Sequence, residues 1–416
     1  MLLEIGNIYL KDVKFGSKTG IVNGKFTINK KELSDYLKQQ DLRLRTVKAH
    51  LVKPGESTRI ICVKDALEAR VKVSGDKRGE GRMHAVKNMA VITCGQIVAY
   101  QEGIVDMSGP GAAYSPFSEI HNVALEIDVV SGLSQHEHEE AVRYAGLRTS
   151  DYLGQFARDI KPDEIIAYDT GKSVSSNLPR IVYVYMVLTQ GLMHDTYHWV
   201  GESWCNASEE MPRIVQPQFV LDNGIHSGNC VSACDKNTTW HHQNNPDIYK
   251  FMSEHGKTKN FVGVVLTNEP TKLAAKEASA AGAVKLARKL KADGVIITEE
   301  GFGNPEADLM MIVRGLEQAG IKTVLITDEY AGSDGASQSL ADTTPEADAV
   351  VSAGNANEII ELPPMKKIIG PIKDLTKLAG AYPQSLKKDG SLVIELQGIV
   401  GATNQLGERT LSCREV

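Results

Sequence analysis

Ile181-Val182-Tyr183-Val184-Tyr185-Met186-Val187-Leu188 is an unbroken apolar and aromatic run, followed directly by Thr189-Gln190-Gly191. A short run of this kind, rich in β-branched and aromatic residues, fits a strand buried on both faces. Similar runs follow at Phe261 to Leu266, Gly294 to Thr298, Thr323 to Thr327 and Ala349 to Ser352. Helical patterns lie between them, over about Lys272 to Leu290 and Ala307 to Ala319, with a shorter one at Ser337 to Leu340. Buried strands that alternate with helices predict a fold of class α/β with an open, mostly parallel, doubly wound sheet. Ligands on such sheets sit beyond the carboxyl ends of the strands. The sequence puts Thr189-Gln190-Gly191, Thr267-Asn268-Glu269, Glu299-Glu300-Gly301 and Asp328-Glu329-Tyr330 there.

Upstream the pattern differs. The first ~110 residues read as strand-rich. Asn23-Gly24 predicts a tight hairpin between Thr19 to Val22 and Lys25 to Ile28, and Gly95-Gln96 a second one between Val91 to Cys94 and Ile97 to Tyr100. A helix is expected from Glu137 to Ala157, and Pro162 with Gly171 to Pro179 reads as a linker. Two domains are expected, a strand-rich mixed one over 1–178 and the α/β one over 179–416.

The chain has 416 residues, 42% of them hydrophobic and 24% charged, with a formal net charge of −6. That balance, without any Lys/Arg block, argues against a nucleic-acid partner or a membrane surface. No basic segment followed by an apolar stretch opens the chain and no run of about 18 apolar residues occurs, so a cytoplasmic protein is expected. Six thinly spread cysteines are unlike a disulfide framework. Cys230 and Cys234 lack a second pair, and His136-Glu137-His138-Glu139-Glu140 reads as a solvated acidic helix start, so no metal is expected. Gly301-Phe302-Gly303 lacks the third glycine of a dinucleotide fingerprint, so no nucleotide is expected either.

The segment Ser227-Gly228-Asn229-Cys230-Val231-Ser232-Ala233-Cys234-Asp235-Lys236-Asn237 carries the chemistry. A cysteine sulfur can attack the preceding carbonyl, here that of Asn229, and exchange the amide for a thioester. Elimination of the thiocarboxylate leaves dehydroalanine. Its imine form hydrolyses with loss of ammonia to a pyruvoyl group, a ketone made from protein alone. Gly228 tolerates the turn such a shift needs. The residues alone also fit an ordinary loop dipeptide.

The chain as a whole resembles the proprotein subunit of component B of the glycine, sarcosine and betaine reductase complexes. The resemblance runs end to end, through Leu3 to Ile8, Pro54 to Ile61, Gln101 to Gly111, the Ser227 to Lys236 block, Glu299 to Pro305, Asp328 to Gly332, Asp334 to Leu340 and Gly401 to Asn404. It implies cleavage between Asn229 and Cys230 into chains 1–229 and 230–416, with Cys230 becoming the pyruvoyl cofactor. It further implies a hetero-oligomer acting in reductive carbon–nitrogen cleavage of a small amino acid to acetyl phosphate and the amine. The implied partners are a selenocysteine-containing subunit of component B, the small selenoprotein A, and component C, which forms acetyl phosphate. Condensation of the ketone with an amine would make nitrogen a better leaving group. Two rival readings remain: a D-proline reductase proprotein, or an uncleaved, noncatalytic scaffold subunit.

Glu299, Glu300 and Asp328 are candidates for proton transfer or for holding the substrate ammonium, although strand-end acids also cap helices. Trp240, His242 and Trp199 are further substrate-binding candidates. With Trp204, the tryptophans all lie near Cys230 in sequence, suggesting an aromatic pocket, and indole faces attract quaternary ammonium, as in betaine. His194 and Asp195 are candidate acid/base partners. Arg59 reads as a carboxylate clamp or a structural ion pair.

Overall fold

The computed structural model describes residues 1–98, 103–172, 174–189, 196–228, 237–301, 303–332, 340 and 342–406. The helix expected at Ser337 to Leu340 falls almost wholly outside these residues, as do His194, Asp195, Asn229 and Cys230.

The protein is α/β. Six strands of its second half form the central sheet: β1 (Arg180–Leu188), β2 (Arg213–Val215), β3 (Asn260–Glu269), β4 (Gly294–Thr298), β5 (Lys322–Glu329) and β6 (Val350–Asn355). Their spatial order is β2-β3-β1-β4-β5-β6, and every neighbouring pair is parallel except the short edge pair β2 and β3. Each parallel strand matches an apolar run read from the sequence. The order therefore reverses between β1 and β4, because the chain leaves β1 for β3 on one side and returns to β4 on the other. Such a reversal opens a crevice at the carboxyl ends of the two strands, where ligands bind in open α/β sheets.

The helices that cover the sheets or carry buried polar residues include α1 (Gln135–Gly154), α2 (Thr239–Gln243), α3 (Pro246–Glu254), α4 (Leu273–Lys289) and α5 (Asn304–Gln318). Val182, Val184 and Met186 of β1 face α4 and α5, meeting Ala283, Leu309 and Val313. The alternate residues Tyr183, Tyr185 and Val187 face the other way, onto Ile248 and Phe251 of α3 and Leu3 and Ile5 of the strand Leu2–Tyr9. One face is thus covered by two helices, the other by a helix together with strands of the N-terminal half.

That half contains a sheet in the order Gly103–Asp106, Thr58–Leu67, Met89–Gly95, His121–Val129 and Leu44–Val52. The distant strand Lys367–Ile369 adds to it by parallel pairing with Thr58 to Ile60. Asn23 and Gly24, at φ of 51° and 74°, make the turn of the expected hairpin, whose positive φ values suit Asn-Gly. Among the described residues, which break off at Val98, the hairpin expected at Gly95-Gln96 is not formed, and Tyr100 lies outside them. Both edges of Met89–Gly95 are already taken, by Thr58–Leu67 and His121–Val129, and Gly103–Asp106 pairs with Thr58–Leu67 instead.

Helix α1 begins at a capping box, in which the Ser134 hydroxyl accepts from Glu137 N and the Glu137 carboxylate accepts from Ser134 N. Its acidic start is not all solvated, because Glu139 is buried and its Oε1 accepts from Lys64 Nζ at 2.6 Å. Among the described residues no cluster of His, Cys, Asp and Glu could hold a metal, and no helix is long and apolar enough to cross a membrane.

Candidate functional site

Glu299 and Glu300 directly follow Thr298, the last residue of β4, and part there: Glu300 reaches Leu188 at the end of β1, whereas Glu299 reaches Thr327 of β5. Glu300 is the hub. Its Oε2 accepts from Leu188 N at 2.7 Å and from Thr196 Oγ1 at 2.9 Å, and its Oε1 accepts from Asn237 N at 3.0 Å. Glu300 N donates to Glu269 Oε1 at 2.9 Å, at the end of β3. Four separate stretches of chain are tied to one fully buried residue.

Two neighbouring acids are pushed upward. Burial raises Glu269 well above the ordinary carboxyl range, reinforced by repulsion from Glu300 and Glu299. Burial likewise raises Glu299, against the hydrogen bond that Thr327 Oγ1 donates to its Oε1 at 2.6 Å. Both therefore favour the neutral acid, which can donate a proton. Asp328, at the end of β5, is a neighbour of Glu299 and adds to the repulsion that raises it. Its Oδ2 accepts from Thr403 Oγ1 at 3.1 Å and its Oδ1 from Gln405 Nε2 at 2.7 Å, so the late segment around Thr403 closes over the end of β5.

His242, on α2, joins this network. Its Nδ1 shares a 2.6 Å hydrogen bond with the Tyr185 hydroxyl, and its Nε2 stands 3.6 Å from Glu300 Oε1. Asn237 Nδ2 donates to the same hydroxyl at 3.2 Å, while its Oδ1 accepts from Asn404 Nδ2 at 2.8 Å. A Tyr185→Phe variant would strip a buried partner from both His242 and Asn237. A loss of about 1–3 kcal/mol is expected, read as a lowered melting temperature of the purified chain. An unchanged melting temperature would mean that both groups are satisfied elsewhere.

The stretch that carries Asn229 and Cys230 is bracketed by buried residues. Ser227 N donates to Thr239 Oγ1 at 3.0 Å, and Thr239 is itself fixed to Asp65, its N donating to Oδ1 at 2.8 Å and its Oγ1 to Oδ2 at 2.6 Å. Ser227 at one end is thus tied to Thr239 and Asp65, and Asn237 at the other to Glu300; Thr196 joins the two, because it pairs with Ser227 in the strand ladder and donates to Glu300.

The tryptophans divide. Trp199 and Trp204 meet edge to face at 5.0 Å, and the Arg78 guanidinium lies over both rings, at 4.4 and 5.0 Å. Trp199 also lines a cavity of about 880 Å³ with Arg78, Arg158 and Asp222. Trp240 packs instead against Phe117 at 5.4 Å. The structure therefore brings Glu300 and His242 together and sets Glu299 beside Asp328, but it splits the expected aromatic pocket. Arg59 is buried and paired through two hydrogen bonds with Asp106, at 2.6 and 2.7 Å, which makes it structural.

Sequence reasoning missed Tyr185, Thr196, Asn237, Thr239 and Asp65. Their types fit strand, turn and cap positions equally well, and only the crossing of strands at the sheet reversal reveals their meeting.

No solved structure matches the chain. The family model described as glycine/sarcosine/betaine reductase component B subunits matches residues 1–414. The glycine reductase complex component B subunits alpha and beta of Acetoanaerobium sticklandii are 48% identical to it, covering 100% of both chains. Two proteins of Peptoclostridium acidaminophilum also align over 100% of both chains: the sarcosine reductase complex component B subunit alpha at 45% identity, and the betaine reductase counterpart at 34%. A match over nearly every residue, carried by relatives of equal extent, means that the chain belongs to the family of glycine/sarcosine/betaine reductase component B subunits.

Proposed function

We propose that this chain is the substrate-activating precursor of an amino-acid reductase, cleaved between Asn229 and Cys230, with Cys230 converted to a pyruvoyl group. The observation that carries the reading is the anchoring of both flanks of the segment, Ser227 and Asn237, among buried polar residues, because the rate of an intramolecular attack depends on how its parts are oriented. The residues present fit a small ketone derived from the protein. The Ser227 hydroxyl is buried with no partner among the described residues, and Glu269 and Glu299 are acids kept neutral by burial. When formed, the group supplies an electrophilic carbonyl for an amine. Around it Glu300 holds the Asn237 end of the segment in place, and Tyr185 with His242 provides a hydrogen-bonded path along which a proton can move.

The substrate of this reading is glycine, sarcosine or betaine, reduced to acetyl phosphate and the amine with a selenocysteine-containing component B subunit, selenoprotein A and component C as partners. Greater identity to the glycine and sarcosine relatives than to the betaine one supports a substrate bearing an N–H, as does the Arg78 cation already seated on the Trp199 and Trp204 indoles.

Denaturing mass spectrometry of the protein from anaerobically grown cells tests the processing. Two fragments joining at Asn229/Cys230 are expected. The downstream fragment should be lighter than a Cys-started chain by the loss of sulfur and nitrogen, and should gain two hydrogens after borohydride. A free amino-terminal cysteine there would sink the pyruvoyl reading. Assays of the reconstituted complex with glycine, sarcosine, betaine and D-proline then assign the substrate, and ring opening of proline alone would replace this reading with the proline reductase one.

A further inference from the structure

Arg143 stands out among the buried charges of the described residues. It sits on α1 with 5% of its surface exposed, and its Nε and Nη1 are buried without a hydrogen-bond partner among those residues. The Glu140 carboxylate is 3.9 Å from Nη2, too far for a hydrogen bond, and is partly in solvent. Other buried cations of the protein are paired: Arg59 with Asp106, Lys64 with Glu139 and Arg70 with Glu68. A buried guanidinium without an acceptor is costly, and proteins keep such a group where something else completes it.

Its surroundings point to what that is. The Arg143 guanidinium lies 4.0 Å from the centre of the Tyr197 ring, and Tyr197 stacks on His226 at 5.5 Å with their planes 9° apart. His226 immediately precedes Ser227, the anchor of the segment with Asn229 and Cys230, and its Nδ1 meets the Ser227 carbonyl at 2.8 Å. In the strand ladder Tyr197 pairs with His226 and Thr196 with Ser227, and Thr196 donates to Glu300. Burial first, then the neighbouring charge of Arg143, keep His226 neutral. The free donors of Arg143 thus belong to the same layer of structure as the candidate site.

Resting on the amino-acid reductase reading, we propose that Arg143 is the anchor for the substrate carboxylate. A guanidinium attracts a carboxylate by its charge as well as by N–H donation, and Nε and Nη1, on different edges of the group, each hold a donor that a carboxylate oxygen can meet. The role that sequence suggested for Arg59 falls to Arg143, because Asp106 already occupies Arg59. The ligand class is a small α-amino carboxylate.

Thermal denaturation of the intact chain tests this without partners or turnover. Acetate and glycine, against chloride at equal ionic strength, should raise the melting temperature of the wild type. They should not raise that of Arg143→Met, while Arg143→Lys should keep part of the response. Without ligand, Arg143→Met should melt no lower than the wild type, since it removes an uncompensated charge while retaining apolar bulk. In the assembled complex the methionine variant should show a KM for the amino acid at least ~10²-fold higher, with kcat changed less. Its cleavage at Asn229/Cys230 should match the wild type, which separates failure of this proposal from failure of the processing reading. An equal acetate shift in Arg143→Met, a wild type that ignores carboxylates or responds to phosphate alone, or a variant that melts lower without ligand would each overturn the assignment.

Discussion

A Cys230→Ala variant is expected to remain one chain of 45.3 kDa where the wild type gives two fragments, and to lose amino-acid reduction by on the order of 10³-fold or more. Alanine offers no nucleophile to the Asn229 carbonyl, so no thioester forms, no elimination follows and no ketone is left behind. Cys230→Ser is the informative companion. A hydroxyl can make the same shift through an ester, but it is a weaker nucleophile near neutral pH and expels a poorer leaving group, so slow cleavage to the same downstream mass is expected. The serine chain should therefore recover activity with time while the alanine chain does not. The anchors at Ser227, Thr239 and Asn237 are untouched by either change, so melting temperatures should stay close to the wild type. Full activity of an uncleaved alanine variant would instead establish a noncatalytic scaffold.

The parallel sheet was legible because strands buried on both faces need unbroken apolar runs, and Gly294 to Thr298 was delimited residue for residue on that basis. The edge strand β2 was not. Three residues show no period, and Arg213 to Val215 are recruited by the free edge of β3 rather than by their own pattern. Lys367–Ile369 was hidden for a similar reason, since its partner Thr58 lies about three hundred positions away in sequence. In the site, the acids at strand ends followed from topology alone, so Glu299, Glu300 and Asp328 were foreseeable. Their partners were not. Thr196 is 104 positions from Glu300 and Tyr185 is 57 from His242, and a tyrosine inside an apolar strand reads as core until its hydroxyl is seen to be bonded. Arg59 carries the complementary lesson. A guanidinium suggests an anion, but the strand register sets Asp106 opposite it and uses up the charge. Arg143 was passed over because arginine in a helix is usually solvated at its head, and only the packed structure shows this one buried.

Glu300→Gln and Glu299→Gln should have opposite consequences although the two residues are adjacent. Glu300 accepts from Leu188 N and Thr196 Oγ1 on one oxygen and from Asn237 N on the other. An amide must turn its NH₂ toward one of these sets, placing donor against backbone donor whichever way it rotates, in a fully buried site. A loss of about 3 kcal/mol or more is expected, since buried N–H groups lose their acceptor and cannot move to find another. Cleavage at Asn229/Cys230 should slow by on the order of 10²-fold, because the Asn237 end is then no longer held and orientation carries much of the rate of an intramolecular attack. Glu299 is different because burial already favours its protonated form. Glutamine reproduces that neutral acid in shape and keeps an oxygen for Thr327 Oγ1, so the change in stability should be within about 1 kcal/mol. Urea denaturation of both variants, with fragment masses followed over time, makes the comparison. Similar losses in the two would mean that Glu299 is an ordinary buried carboxylate and that the neutral acid assigned to it is wrong. A tolerant Glu300→Gln would mean that Asn237 is anchored by something other than this carboxylate, and the cleavage segment would need a different clamp.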